Sequence, residues 1–221
     1  MYLFNLDIKD FFKSISKKQI NEFFNFLGVP KSISKIFAKI TTVKDHLVEG
    51  FNTSPTLANF VFRKIDITLN KIASKNSLIY TRYADDLTFS GNKPINIISE
   101  VEKILNASNF TINQDKIRYF KRGGPMYVTG LTVCDDKLSR VTKKYKNRIR
   151  MTLFNLNKKI ENASNEEDLE FIKLEIGSLK GKINFINGIE RFRANKYICE
   201  LNKIEDNLET KEKEIFKQIY I

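Results

Sequence analysis

Residues 2–8, YLFNLDI, alternate and run apolar enough for a buried strand whose far end delivers Asp7. Ser16, with Gln19 three positions on, has the form of a capping box opening a helix through Phe23, Phe24 and Leu27 that stops at Gly28 and Pro30. A second helix is predicted from about Ser34 to Ile40. The loop VEGFNTSP follows, in which Ser54 can cap and Pro55 can occupy the first turn of a long helix striped by Leu57, Val61, Ile65, Leu69 and Ile72. SLIYTRYADDLTFSG then reads as two short strands, roughly 78–83 and 87–90, joined by a tight turn at Ala84, Asp85 and Asp86.

Helical spacing returns from Ile95 to Ala107, after Pro94. A polar stretch with Lys116 leads to a strand, MYVTGLTV, beyond the Gly123 and Gly124 turn. From Thr142 onward the pattern is helical, with breaks near Asn162 to Asn165 and near Asn187 to Gly188. Mixed elements followed by helices alone predict an α+β domain over 1–140 and a helical one over 141–221.

Composition narrows the classes. The 221 residues are 42% hydrophobic with 18 Phe, enough for a genuine core. No stretch approaches the roughly 18 uninterrupted apolar residues of a membrane span, and charges stand where a signal peptide keeps an apolar run, so a cytosolic protein with no membrane partner is expected. Cys134 and Cys199 have no neighbouring Cys or His at zinc-ligand spacing and read as buried or idle thiols. The single His46 excludes a His-rich metal site. The formal charge of +12 points to a polyanionic partner, or to a composition biased toward Lys, Asn and Ile. Residues 141–221 hold 17 basic and 13 acidic groups, so both halves carry the excess.

Adjacent carboxylates at a hairpin tip repel each other and raise one pKa unless a cation sits between them. Alone, Asp85 and Asp86 are compatible with a solvated turn. With Asp7 as a third acid from a neighbouring strand, they are compatible with an all-oxygen site for Mg²⁺ or Mn²⁺.

In order and spacing, LDIKDFF around Asp7, the loop GFNTSP opening a helix, and Tyr83-Ala84-Asp85-Asp86 between apolar strands resemble motifs A, B and C of reverse transcriptases. RYADDLTFSG is close to the retron form, and VTGL, Val128 to Leu131, resembles the VTG signature of retron enzymes. The resemblance implies an RNA-directed DNA polymerase of bacterial cytoplasm: a palm of antiparallel sheet with packed helices, then an all-helical thumb. It implies two Mg²⁺ ions on Asp7, Asp85, Asp86 and the Ile8 backbone carbonyl, with Mn²⁺ a possible substitute, and a role in anti-phage defence.

By the same resemblance Phe12 stands at the steric gate that selects dNTPs, or is a core phenylalanine; Asp10 beside it can face solvent only. Gly50 permits close approach to nucleotide or template, although Glu49 stands where most of the family has Gln. Lys116 lies near the position of a pyrophosphate-contacting Lys, or is a surface Lys. Tyr127, Val128, Thr129, Gly130 and Leu131 occupy the place of the primer grip. Beyond them Arg140, Lys143, Lys144, Lys146, Arg148 and Arg150, uninterrupted by acids and interleaved with Val141, Tyr145 and Ile149, suit a phosphate backbone or form a solvated helix face. The implied partners are structured RNA template and primer, an RNA–DNA hybrid, dNTPs, and a fingers-containing polypeptide or a retron effector protein. The fingers and their Asn-Ala-x-x-His signature have no counterpart in these residues, so the sequence reads as a fragment, a split gene product or a decayed copy. A catalytically incomplete RNA-binding module is the alternative to an active enzyme.

Overall fold

The computed structural model describes residues 1–133 and 138–220. They fall into two compact units, Met1–Thr129 and Gly130–Ile221.

The first unit is built around β1 (Tyr2–Lys9), whose Leu3, Phe4, Leu6, Asp7 and Ile8 are all buried. Such a run, buried on successive positions, belongs to a central strand covered on both faces. One edge of β1 pairs antiparallel with β3 (Asp86–Gly91), in a register from Tyr2 opposite Gly91 to Asp7 opposite Asp86. The other edge is shared: β5 (Arg118–Lys121) takes the first half of β1, and β4 (Thr111–Ile112) takes Ile8 and Lys9. Strand β2 (Ile79–Tyr83) closes the far side on β3, and its alternating exposure is that of an edge strand.

Helices α1 (Lys17–Phe26), α2 (Lys31–Ile40), α3 (Ser54–Lys75) and α4 (Ile98–Ala107) pack with this sheet in one core. At its centre the rings of Phe11, Phe62 and Phe110 meet edge-on or tilted, with centroids 5.0–5.9 Å apart. The capping box opening α1 is formed: the Ser16 N–H donates to Gln19 Oε1 at 2.8 Å and the Gln19 N–H to Ser16 Oγ at 3.4 Å.

Three expectations are corrected here. Helix α3 is not capped by Ser54. Thr53 holds the cap position without a side-chain bond, and Ser54 is the first helical residue, its buried Oγ without a partner among the described residues. Helix α4 begins at Ile98 rather than Ile95, because Ile95 and Ile97 are buried in the core before the helix starts. MYVTGLTV is not one strand. It is β6 (Tyr127–Val128) and β7 (Leu131–Thr132), broken where Thr129 (φ 45°) and Gly130 (φ 81°) enter the left-handed region.

In the second unit β7 pairs with β8 (Arg140–Val141), so the expected boundary at 140 lies inside this unit, which is not helical throughout. Three helices follow, α5 (Lys143–Asn162), α6 (Glu166–Ile189) and α7 (Arg191–Tyr220). Their shared core runs from Ile149, Leu153 and Leu156 through Ile176, Leu179 and Ile183 to Tyr197, Leu201 and Ile204. Helix α5 starts at the Thr142 cap, whose hydroxyl accepts the Tyr145 N–H. No described helix is long and apolar enough to cross a membrane.

Candidate active site

The β1–β3 register sets Asp7 directly across from Asp86, a spacing of about 5 Å between backbones in an antiparallel pair. Beyond that pair the Ile8 N–H donates to the Asp85 carbonyl at 3.0 Å, tying the hairpin tip to β1. Ile8 itself is buried beside Asp7 and fixes the end of the strand. The three acids predicted from sequence are thus brought to one end of one sheet.

Their carboxylates are not gathered at a single point. Asp7, only 7% exposed, turns its side chain to Lys116, whose ammonium lies 2.8 Å from Oδ1, and to the Asn113 amide, 3.3 Å from Oδ2. Among the described residues no three acidic, histidine or cysteine side chains form a ready-made metal cage. The backbones of the three acids converge, and the Lys116 ammonium occupies the cationic role beside Asp7.

The electrostatics match that arrangement. Burial, then the neighbouring Asp85 and Asp7 carboxylates, push the Asp86 carboxyl above its ordinary value, and Lys116 opposes them. The hydrogen bond and charge of Asp7 raise Lys116 in turn, so it is held as a cation. An all-oxygen donor set whose members repel one another fits a hard divalent ion, and no soft ligand stands among them.

What holds the tip in place was not read from the sequence. Ala84, φ 51°, is in the left-handed region, which costs a non-glycine residue roughly 1 kcal/mol. Arg82, with its side chain 8% exposed, donates one N–H to the Ala84 carbonyl at 2.9 Å and grips Asp66 of α3 through two parallel bonds of 2.9 and 2.7 Å. Its guanidinium lies 4.5 Å from the Phe62 ring centroid. The Tyr80 hydroxyl donates to Asp66 at 2.7 Å, and burial together with the Asp66 charge pushes that phenol far above its ordinary value. The sequence signal was an arginine inside an otherwise uncharged strand two residues before the turn.

The remaining expected residues are distributed as follows. Phe11 is the core ring, while Phe12 is half-buried and packs edge-on against it at 5.3 Å. Asp10 is exposed at φ 48° and pairs with Lys13. Gly50 is exposed at φ 89°, a conformation that itself selects glycine. The Tyr127 carbonyl accepts the Asn5 amide at 2.7 Å, so the first residues of the predicted primer grip are fastened to β1. Tyr127, Val128 and Thr129 belong to the first unit, Gly130 and Leu131 to the second. Cys199 is a free, exposed thiol, and Cys134 lies outside the described residues.

In the second unit Lys143, Lys144, Arg148 and Arg150 are exposed on α5, and Arg140 is half-buried in β8. Lys146 is not available to a phosphate. It is buried, with its ammonium 2.6 Å from Glu190 Oε1 and both side chains under 10% exposed. Burial alone would push the Glu190 carboxyl up; the Lys146 ammonium, the Val141 N–H and Arg193 outweigh it and hold it below its ordinary 4.5. Replacing Lys146 with Met is expected to destabilise this unit by about 3 kcal/mol in urea unfolding at neutral pH, because a buried carboxylate loses its partner. A depressed carboxyl contributes stability above its unfolded value and loses it as pH falls through the folded one. The deficit of the variant therefore narrows as pH falls below that ordinary 4.5.

An antiparallel sheet backed by helices, with acids from two strands facing at one end, defines an α+β protein. The chain belongs to the reverse transcriptase (RNA-dependent DNA polymerase) family, whose profile matches residues 1–158. Its kinship within the family is with the retron-type bacterial enzymes. It is 28% identical over 207 residues to the Retron Ec86 reverse transcriptase of Escherichia coli, covering 92% of this chain and 61% of that protein. It is 26% identical over 235 residues to the Retron Mx162 reverse transcriptase of Myxococcus xanthus, covering 90% and 47%. Among solved structures, telomerase from Candida albicans in complex with a fragment of telomeric RNA aligns over 97% of this chain and 45% of that one, at 14% identity and a TM-score of 0.48. The chain spans about half the length of the curated relatives it matches.

Proposed function

We propose that this chain supplies the palm, in the first unit, and the nucleic-acid-binding thumb, in the second, of a retron-type RNA-directed DNA polymerase that adds dNTPs to a primer on a structured RNA template. The observation that carries the reading is the Asp7–Asp86 register with Asp85 tied to β1, because it sets three acids at one sheet end where a cation is required. Asp7, Asp85 and Asp86, with the Ile8 carbonyl, would hold two Mg²⁺ ions, or Mn²⁺ in their place. Such ions, when bound, acidify the primer hydroxyl and offset charge on the leaving pyrophosphate.

The chain's own residues divide the remaining work. Phe12, half-buried and edge-on to Phe11, gates the ribose 2′ position. Lys116, paired with Asp7 in the metal-free site, would with the acids holding metal offer its ammonium to the pyrophosphate. Gly50 leaves room for nucleotide or template. Tyr127 to Leu131 bear on the primer, and Arg140, Lys143, Lys144, Arg148 and Arg150 on the phosphates of an RNA–DNA hybrid. The setting is the bacterial cytoplasm, in anti-phage defence, with a fingers-containing polypeptide or a retron effector protein as partner.

Primer extension on an RNA template with Mg²⁺, dNTPs and a fingers polypeptide tests the reading. The wild-type chain extends the primer and Asp85→Asn falls by more than about a hundredfold. Equal signal from both proteins overturns the polymerase and leaves an RNA-binding module.

A further inference from the structure

Glu190, its side chain 9% exposed, gathers three separate elements at one end of the second unit. Its carboxylate accepts the Val141 N–H of β8 at 2.8 Å, the Lys146 ammonium of α5 at 2.6 Å and the Arg193 side chain of α7 at 3.3 Å. The first turns of α5 and α7 therefore lie side by side. Because Glu190 is neutralised from within, what this end shows to solvent is basic: Lys143 and Lys144 on α5, Arg191 and Lys196 on α7. No acid occurs between residues 191 and 199.

On the solvent face of α7, beside Arg191 and Lys196, stands Phe192, 91% exposed, the most exposed large hydrophobic side chain among the described residues. Its helical neighbours three, four and seven positions on are Asn195, Lys196 and Cys199, all exposed. A protein partner buries contiguous apolar area, and that face offers a single ring in polar, cationic surroundings. A nucleobase wants this combination instead: one flat apolar face to stack on, an amide within reach of its edge, and cations for the flanking phosphates.

We propose that Phe192, with Arg191, Asn195 and Lys196, is a stacking platform for an unpaired nucleotide of the structured RNA. This rests on reading the second unit as nucleic-acid-binding, and it adds a site on α7 separate from the basic face of α5. Paired stem is held by charge on α5, and the platform distinguishes an RNA that presents an unpaired base from one that does not.

The test is fluorescence anisotropy of the full chain with two labelled RNAs: a short hairpin with a single-stranded loop, and the same stem as a blunt duplex. Phe192→Ala is expected to weaken hairpin binding about tenfold and leave duplex binding within about twofold, while Phe192→Trp retains the hairpin affinity. Thermal melting of both variants should match the wild type, since the ring is solvent-exposed. Unchanged hairpin binding by Phe192→Ala, an equal loss on both RNAs, or failure of Trp to substitute overturns the platform. Failure of the polymerase reading would show instead as extension insensitive to Asp85→Asn, an outcome independent of the hairpin–duplex difference.

Discussion

Arg82→Ala is expected to destabilise the first unit by about 3 kcal/mol, the low end for removing one partner of a buried ion pair, because the Asp66 side chain is 29% exposed. The effect has several sources acting together. Asp66 loses both guanidinium bonds and keeps only the Tyr80 hydroxyl, Phe62 loses a cation over its face, and the Ala84 carbonyl loses the donor that steadies a left-handed residue. Arg82→Lys should recover little, because an ammonium cannot span both Asp66 oxygens and the Ala84 carbonyl in one plane. Chemical unfolding of the three proteins measures this. A Lys variant as stable as the wild type would show that charge alone, and not the planar fork, holds the tip.

The consequence reaches the acids. Asp85 and Asp86 follow Ala84 directly, so a tip that loses Arg82 also loses the registration of Asp86 against Asp7. Arg82 touches none of the reacting groups and acts as a positioning residue.

Much of this was legible from residues alone, for identifiable reasons. The Ser16–Gln19 capping box is local chemistry within one turn, and it formed as read. The acid-tipped hairpin was legible because apolar strands flank a turn, and β1 because its burial is nearly continuous. What escaped depended on partners distant in sequence. Arg82 finds Asp66 on a helix that the strand pattern does not reveal, and Lys146 finds Glu190 beyond two helices.

Lys146 carried a signal that the charge count obscured. Positions 146, 149, 153, 156 and 160 follow the spacing of a single helix face, and all five are buried. The basic run was therefore two surfaces, with one lysine turned inward. The break in MYVTGLTV was local, in the Thr129-Gly130 pair, where an apolar-looking window outweighed a turn dipeptide.

The acids at the end of β1 and β3 would act as one divalent site, in which Asp7 would hold metal in place of Lys116. Asp7→Asn removes a buried carboxylate that Lys116 and Asn113 already engage, so it should leave the fold intact and lower metal affinity at least about tenfold. Asp10→Asn, at an exposed residue paired only with exposed Lys13 across 3.7 Å, is the matched control. Mn²⁺ titration of the full chain, followed by electron paramagnetic resonance, reads this directly. The wild type and Asp10→Asn should bind alike and Asp7→Asn far more weakly; Mn²⁺ affinity unchanged by Asp7→Asn would contradict the shared site and the polymerase reading built on it.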